Sequence, residues 1–148
     1  MTKRNNPWQS YRNISAQTAT PPHLVLMLYE GAIRFLEKSL TGFEYADPLE
    51  FNQTINNNVQ RAQEIIFEMN SRLDMNKGGE IAENFRRLYC YFYSRLQEAN
   101  SKKKKSPIME VIKLLKELRD AWAEMLHRRQ ETAPDENAPA GEVSLNIA

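Results

Sequence analysis

Residues 51–73 read FNQTINNNVQRAQEIIFEMNSRL, and the spacing of their apolar side chains decides the fold class. From the first apolar residue to the last, the steps are 4, 4, 3, 4, 3 and 4 residues. Steps of three and four place side chains on one face of an α-helix. These apolar residues are Phe51, Ile55, Val59, Ala62, Ile66, Met69 and Leu73. Such a stripe must be covered by partner helices, which predicts a helical bundle.

Three further segments carry the same spacing and have similar boundary signals. The four predicted helices cover residues 21–41, 48–73, 80–100 and 106–129. Asp47-Pro48 and Ser106-Pro107 each combine an N-cap residue with a proline in the first turn. Because the connections are short, sequential helices should be antiparallel neighbours. We therefore predict an all-α fold: an antiparallel four-helix bundle with an aromatic N-terminal segment and a disordered, acidic C-terminal tail.

Length and composition exclude several classes of protein. The chain of 148 residues is long enough for one domain with a substantial core. Its net charge of +1 is far from the basic balance of general nucleic-acid binders, so we expect no nucleic-acid partner. The longest apolar run, from Leu24 to Tyr29, has six residues, and we expect no membrane insertion. The N-terminus lacks the apolar core of a signal peptide, which indicates a cytoplasmic protein.

The chain divides into three regions, of which the last is set apart by its charge. We predict an N-terminal capping segment at residues 1–20, the helical bundle at residues 21–130 and a flexible tail at residues 131–148. The tail has four acidic residues and no Lys or Arg, which leaves 20 basic and 15 acidic residues before it. Such a segment buries too little apolar surface to offset its chain entropy. The one dense charge run, Lys102–Lys105, is interpreted as a solvated loop after the third helix.

The sequence offers no set of residues for catalysis or metal binding. Glu124 and His127 have the Glu-x-x-His spacing of di-iron bundles, but His23 has Thr20 at the matching place, so the second copy is missing. Cys90 has no local base and is interpreted as a buried structural thiol. We therefore expect a protein that is not an enzyme and takes no cofactor or metal.

Apolar residues outnumber those that the core of a four-helix bundle needs. The run from Leu24 to Tyr29 circles the first helix, and Tyr89, Tyr91 and Tyr93 stand beside the stripe of the third. Further surplus residues are Ile65, Phe67, Ile112 and Leu114. Two interpretations are open: a wide core, or grooves that hold an amphipathic partner helix.

Two large aromatic residues stand ahead of the bundle. Trp8 and Tyr11 are three residues apart, and Ile14 follows three residues later, which fits one face of a short amphipathic segment. Such a segment either docks on its own bundle or covers a groove that a partner later uses.

Several motifs resemble the flagellar export chaperones that are specific for flagellin. The similar stretches are Asn6-Pro-Trp-Gln-Ser-Tyr11, Thr18-Ala-Thr-Pro21, Leu24-Val-Leu-Met-Leu-Tyr-Glu-Gly-Ala-Ile33, Ala62-Gln-Glu-Ile-Ile66, Leu88-Tyr-Cys-Tyr-Phe-Tyr-Ser-Arg-Leu96, Glu98-Ala-Asn100 and Leu118-Arg-Asp-Ala-Trp122. The resemblance covers roughly residues 6–126 and thus nearly the whole helical part of the chain. Trp8 stands where that family commonly has a tyrosine, and Tyr11 matches a second tyrosine.

The resemblance implies a cytoplasmic chaperone without enzymatic activity. Members of that family bind the C-terminal segment of flagellin, keep it from polymerising early and deliver it to the flagellar type III secretion apparatus. The export gate is a further expected partner. With the N-terminal segment as a cover and the client in apolar grooves, the candidate contacts are Trp8, Tyr11, Leu28, Tyr29, Ile33, Ile65, Tyr89 and Tyr93.

The residues themselves leave two other kinds of interaction open. One is an adaptor or regulatory bundle for another secretion or assembly protein, in which the lysine run or the acidic tail would carry the contact. The other is self-association through the surplus apolar surface. We expect a monomer or a weak homodimer.

Overall fold

The computed structural model describes residues 21–132, with side-chain burial described as far as residue 130. Its helices are α1 (Pro21–Thr41), α2 (Pro48–Ser71), α3 (Gly79–Lys102) and α4 (Lys105–Thr132), with a 3₁₀ turn at Gly42–Glu44. The predicted all-α four-helix fold is confirmed. The capping segment at residues 1–20 and the tail from residue 133 onward lie outside the described residues, and α4 includes residues 131 and 132 of the predicted tail.

Each helix packs against its neighbours in sequence, and α4 closes the bundle against α1. The indole N–H of Trp122, late in α4, donates a hydrogen bond of 2.8 Å to the carbonyl oxygen of Pro22, at the start of α1. At the other end of α4, Nζ of Lys105 lies 3.5 Å from Oε1 of Glu44, just after α1. These two contacts show that α1 and α4 are antiparallel, as the short connections predict.

The core covers about half of the circumference of α1. The buried apolar residues of α1 are Leu24, Val25, Leu28, Tyr29, Ala32, Ile33 and Leu36. These positions span one arc of about 180° around the helix, wider than the stripe of a surface helix, so α1 lies deep between its neighbours. For the first helix, therefore, the surplus apolar residues form a wide core. The exposed apolar side chains belong mainly to α2, α3 and the connection before α2.

The helix boundaries follow local chemistry. Oδ2 of Asp47 accepts a hydrogen bond of 3.0 Å from the backbone N–H of Glu50, and Pro48 opens α2, as predicted. The chain reverses after α3 at Lys103, which has a left-handed φ of 51°. Because this turn is short, α4 already begins at Lys105, and the predicted N-cap at Ser106 is wrong. None of the described helices is long and apolar enough to cross a membrane.

Candidate functional site

A groove runs along the outside of the bundle between α2 and α3. Its apolar part has a volume of about 400 Å³. The lining residues of that part are Ile66, Phe67, Asn70, Tyr89, Cys90, Tyr93 and Ser94. It adjoins a more polar part lined by Gln60, Gln63, Glu64, Phe67, Glu68, Tyr93 and Gln97. Phe67 and Tyr93 line both parts, so they form the centre of what we call the α2/α3 groove.

Two aromatic rings at the centre of the groove are open to solvent. Phe67 is 68% exposed and Tyr93 is 44% exposed. Ile66 belongs to the buried stripe of α2, and Phe67 is rotated by about 100° from it, which turns the ring out of the core. Exposed aromatic side chains beside an apolar groove are typical of protein–protein contact sites.

Hydrogen bonds between α2 and α3 hold the walls of the groove. Nε2 of Gln63 donates to the carbonyl oxygen of Tyr93 and to Oε1 of Gln97, each over 3.2 Å. Farther along the two helices, Nδ2 of Asn100 donates to Oδ1 of Asn56 over 2.8 Å. Because Gln63 is buried, its bonds fix the spacing of the helices there. The groove is thus formed before any partner binds, which lowers the cost of ordering on binding.

Beneath the groove, two buried tyrosines join α3 to α1. The hydroxyl groups of Tyr29 and Tyr89 share a hydrogen bond of 2.7 Å, and each residue is only 1% exposed. Burial is the main reason that the pKa of Tyr29 is raised to about 12. Burial also raises the pKa of Tyr89 above its ordinary value. Both hydroxyl groups therefore stay neutral in the folded protein well above neutral pH.

This pair predicts a loss of stability in alkaline solution. The pKa of Tyr29 is raised from 10.0 to about 12 on folding, so the stability linked to its protonated form is complete below pH 10.0. That stability should fall as pH rises through the interval between these two values. A titration followed by tyrosinate absorbance should contain a late phase that coincides with unfolding in circular dichroism. The phase should disappear in the double variant Tyr29→Phe/Tyr89→Phe; persistence there would assign it to other residues.

A polar cluster ties the opposite side of α3 to α4. The hydroxyl of Tyr91 donates to Oε2 of Glu110 over 2.6 Å, and Nε of Arg95 donates to Oε1 of Glu110 over 2.8 Å. Arg95 also bonds Glu98 over 3.1 Å. The hydrogen bond from Tyr91, followed by that from Arg95, lowers the pKa of Glu110. Tyr91, a surplus aromatic residue in the sequence, therefore has a structural partner in this cluster.

The structure places the predicted contact residues in three environments. Trp8 and Tyr11 lie outside the described residues. Tyr89 and Tyr93 line the α2/α3 groove, and Ile33 lines a charged depression between α1 and α4. The other three, Leu28, Tyr29 and Ile65, are at most 1% exposed in the core. Among the predicted contacts that are described, only Tyr93 has an exposed side chain that a partner could cover in this conformation. As contacts, all of them stay predictions.

Two residues of the groove differ from their sequence-based interpretation. Cys90, expected to be buried, is exposed and lines the groove, because it lies on α3 between buried Tyr89 and the outer face. Phe67 was part of the surplus apolar set but not a candidate contact. Its signal in the sequence is its position directly after the buried stripe residue Ile66. Among residues 21–132, no group of three or more His, Cys, Asp or Glu side chains could hold a metal ion.

Separate comparisons with known proteins agree on one family. The model of the family described as flagellar protein FliS matches residues 4–129. The flagellar secretion chaperone FliS of Bacillus subtilis is 33% identical over 126 residues, which cover 85% of this chain and 90% of that protein. The chaperone of the same name from Campylobacter jejuni is 31% identical over 131 residues, covering 88% and 98%. That from Salmonella typhimurium is 31% identical over 122 residues, covering 79% and 87%. The chain therefore belongs to the FliS family of flagellar proteins.

Proposed function

We propose that this protein is a flagellar secretion chaperone that binds the C-terminal segment of flagellin in the cytoplasm. The observation that carries the proposal is the family match over residues 4–129, together with relatives named flagellar secretion chaperones. In this role the protein catalyses no reaction. It holds its client, prevents early polymerisation and hands the client to the flagellar type III secretion apparatus.

The chemistry of the α2/α3 groove supports a polypeptide client. Its floor is apolar and aromatic, while its rim carries the exposed amide side chains of Gln60 and Gln97. None of its lining residues is Lys or Arg, so it has no charge complementary to a phosphate or a nucleic acid. An amphipathic helix can place its apolar face on Phe67 and Tyr93 and its polar groups along the rim.

The mechanism follows from coupled folding and binding. A disordered client loses chain entropy when it becomes ordered on the bundle. Burial of apolar surface, at about 25 cal/mol per Å², offsets that loss. Phe67 alone contributes a large share of the apolar surface that is buried, because most of its ring is accessible before binding. While the client segment lies in the groove, its apolar face is unavailable to other flagellin molecules, and this occlusion is the chaperone activity.

Isothermal titration calorimetry tests the proposal. The full chain is titrated with a C-terminal flagellin fragment from the same organism, and light scattering gives the mass of the complex. We expect saturable binding near one-to-one with a negative heat-capacity change, the signature of apolar burial. The absence of binding by a folded chain would contradict the assignment of flagellin as the client.

A further inference from the structure

The sequence after α4 consists of an acidic spacer and a short apolar segment. The spacer, residues 133–142, has three acidic residues, two prolines and no Lys or Arg, and it ends with Glu142. The next five residues, Val143-Ser-Leu-Asn-Ile147, alternate between apolar and polar side chains. In an extended chain this alternation places the three apolar side chains on one side. We call residues 143–147 the apolar tail segment.

The α2/α3 groove has the surface and the length to hold this segment. Its apolar part has a volume of about 400 Å³ and is lined by Phe67 and Tyr93 among others. Five extended residues span about 13 Å, and the groove spans about 10 Å along α3 from Cys90 to Gln97. The exposed amides of Gln60 and Gln97 can bond to the backbone groups that an extended segment leaves unpaired.

An arginine stands where the groove begins on α3. Arg86 lies four residues before Cys90 and seven before Tyr93, so the three side chains share one face of the helix. Arg86 is exposed and forms no ion pair within residues 21–132. Glu142 directly precedes the apolar tail segment, just as Arg86 precedes the apolar part of the groove. Charge and apolar side chains therefore follow in the same order along the tail and along α3.

The spacer is long enough to bring the apolar tail segment to the groove. Thr132 lies about 40 Å along α4 from Lys105, and Cys90 lies about 18 Å along α3 from Lys102. The two residues therefore differ by about 22 Å along the bundle, and two helix packing distances add about 20 Å sideways. Their separation is thus about 30 Å, whereas the chain from Thr132 to Val143 covers about 34 Å at 3.1 Å per residue. The tail reaches α3 from the end where that helix begins, so it meets Arg86 first.

The lysine run Lys102–Lys105 is a less suitable site for the acidic tail. It lies at the other end of α4, about 40 Å from Thr132. A spacer of ten residues covers at most about 36 Å when it is fully extended. Contact with the lysines would thus require complete stretching of the spacer and would leave the apolar tail segment in water. Apolar groove and unpaired arginine together fit both parts of the tail.

We propose that residues 142–147 dock in the α2/α3 groove of their own chain and must leave it before a client binds there. Glu142 pairs with Arg86, and the three apolar side chains of the tail cover Phe67 and Tyr93. The docked tail shields these exposed aromatic rings from other apolar surfaces while no client is bound. This regulation rests on the proposed function, because it takes the groove to be the client site.

Tethering makes a weak contact sufficient for this regulation. A segment on a short linker has an effective concentration of about 1 mM at its site. If the same segment bound as a free peptide with a Kd of about 0.1 mM, it would be docked in about nine-tenths of the molecules. The groove would then be open in about one-tenth of them, which lowers the apparent affinity for a client about tenfold. A client that binds more tightly still displaces the tail.

The thiol of Cys90 reports directly whether the groove is covered. Cys90 is the one cysteine of the chain, and it lines the groove. The full chain is treated with iodoacetamide, an uncharged reagent, and mass spectrometry follows the modification. Leu145→Asp should raise the rate about tenfold, whereas Ser144→Asp, with the same added charge on the polar side of the segment, should leave it unchanged. Equal rates for the natural chain and Leu145→Asp would overturn the proposal.

The same reaction distinguishes the tail from other occupants of the groove. Protection of Cys90 that is lost on Trp8→Ser but kept in Leu145→Asp would assign the groove to the N-terminal segment. Protection that increases with protein concentration would assign it to a second copy of the chain. Either result would overturn the proposal.

Charge reversal tests the orientation of the docked tail. Arg86→Glu and Glu142→Lys should each raise the rate of Cys90 modification about threefold, the effect expected of an exposed ion pair. The double variant should return the rate toward that of the natural chain, because the pair is restored with its charges exchanged. Lys113→Glu, on α4 and away from the groove, is the control and should change nothing. A double variant that reacts faster than both single variants would overturn the pairing.

Calorimetry with the flagellin fragment tests the regulation separately from the docking. Leu145→Asp should bind the fragment more tightly than the natural chain by the same factor that it raises the rate of Cys90 modification. If Cys90 shows the docking but no variant binds the fragment, the docking stands and flagellin is not the client. If the natural chain and Leu145→Asp bind the fragment equally, competition between tail and client is overturned.

Discussion

The variant Tyr29→Asp is expected to lose most of its stability and much of its helical structure at room temperature. Tyr29 is 1% exposed, and its hydroxyl bonds only to that of Tyr89 among the described residues. Aspartate in this place leaves a cavity and buries a group that is charged near neutral pH. Such changes cost about 3–5 kcal/mol, against a total stability of about 5–15 kcal/mol for a domain of this size.

Conservative variants separate packing from hydrogen bonding at the same site. Tyr29→Phe or Tyr89→Phe alone keeps the ring but leaves the other hydroxyl buried without its partner, at a cost of about 1–3 kcal/mol. The double variant removes both hydroxyl groups, so it should be nearly as stable as the natural chain. Urea unfolding followed by far-UV circular dichroism compares these four variants with the natural chain. A Tyr29→Asp chain with an unchanged midpoint would show that this side chain is not part of the core.

The architecture could be predicted from the sequence because its determinants are local. The stripe from Phe51 to Met69 fixes a helix, and the Asp47-Pro48 start follows from capping chemistry that involves only the first turn. Short connections then leave antiparallel neighbours as the simplest arrangement. The predicted start of α4 was wrong because the left-handed turn at Lys103 contains no glycine, the residue that usually marks such a turn in a sequence.

The site was harder to predict because exposure depends on how four helices are rotated about their axes. Spacing alone marked Ile65 and Tyr29 as readily as Tyr93, yet the first two face the core and the third faces the groove. Phe67 differs from Ile66 by a single step along α2, and only packing shows which of the two faces outward. A heptad pattern gives the buried stripe reliably, but it does not tell which residues at the edges of the stripe are exposed.

The largest expected effect on client binding comes from Phe67→Ser. The ring is 68% exposed at the centre of the α2/α3 groove, so its loss removes apolar area that a client would cover. Burying a phenylalanine side chain contributes about 1.5–3 kcal/mol, which corresponds to a loss of roughly 10- to 150-fold in affinity. Because the ring lies outside the core, the free energy of unfolding should change by no more than about 0.5 kcal/mol.

A matched control makes this prediction specific to the groove. Met109, on α4, is 56% exposed and does not line the α2/α3 groove, so Met109→Ser removes a similar exposed apolar side chain elsewhere. Calorimetry with the flagellin fragment should show a large loss for Phe67→Ser and little change for Met109→Ser, with Tyr93→Ser weakened as well. Equal affinities for the Phe67→Ser and Met109→Ser chains would show that the client does not bind in this groove. If the natural chain still bound the fragment tightly, flagellin would remain the client and its contacts would have to lie on another face of the bundle.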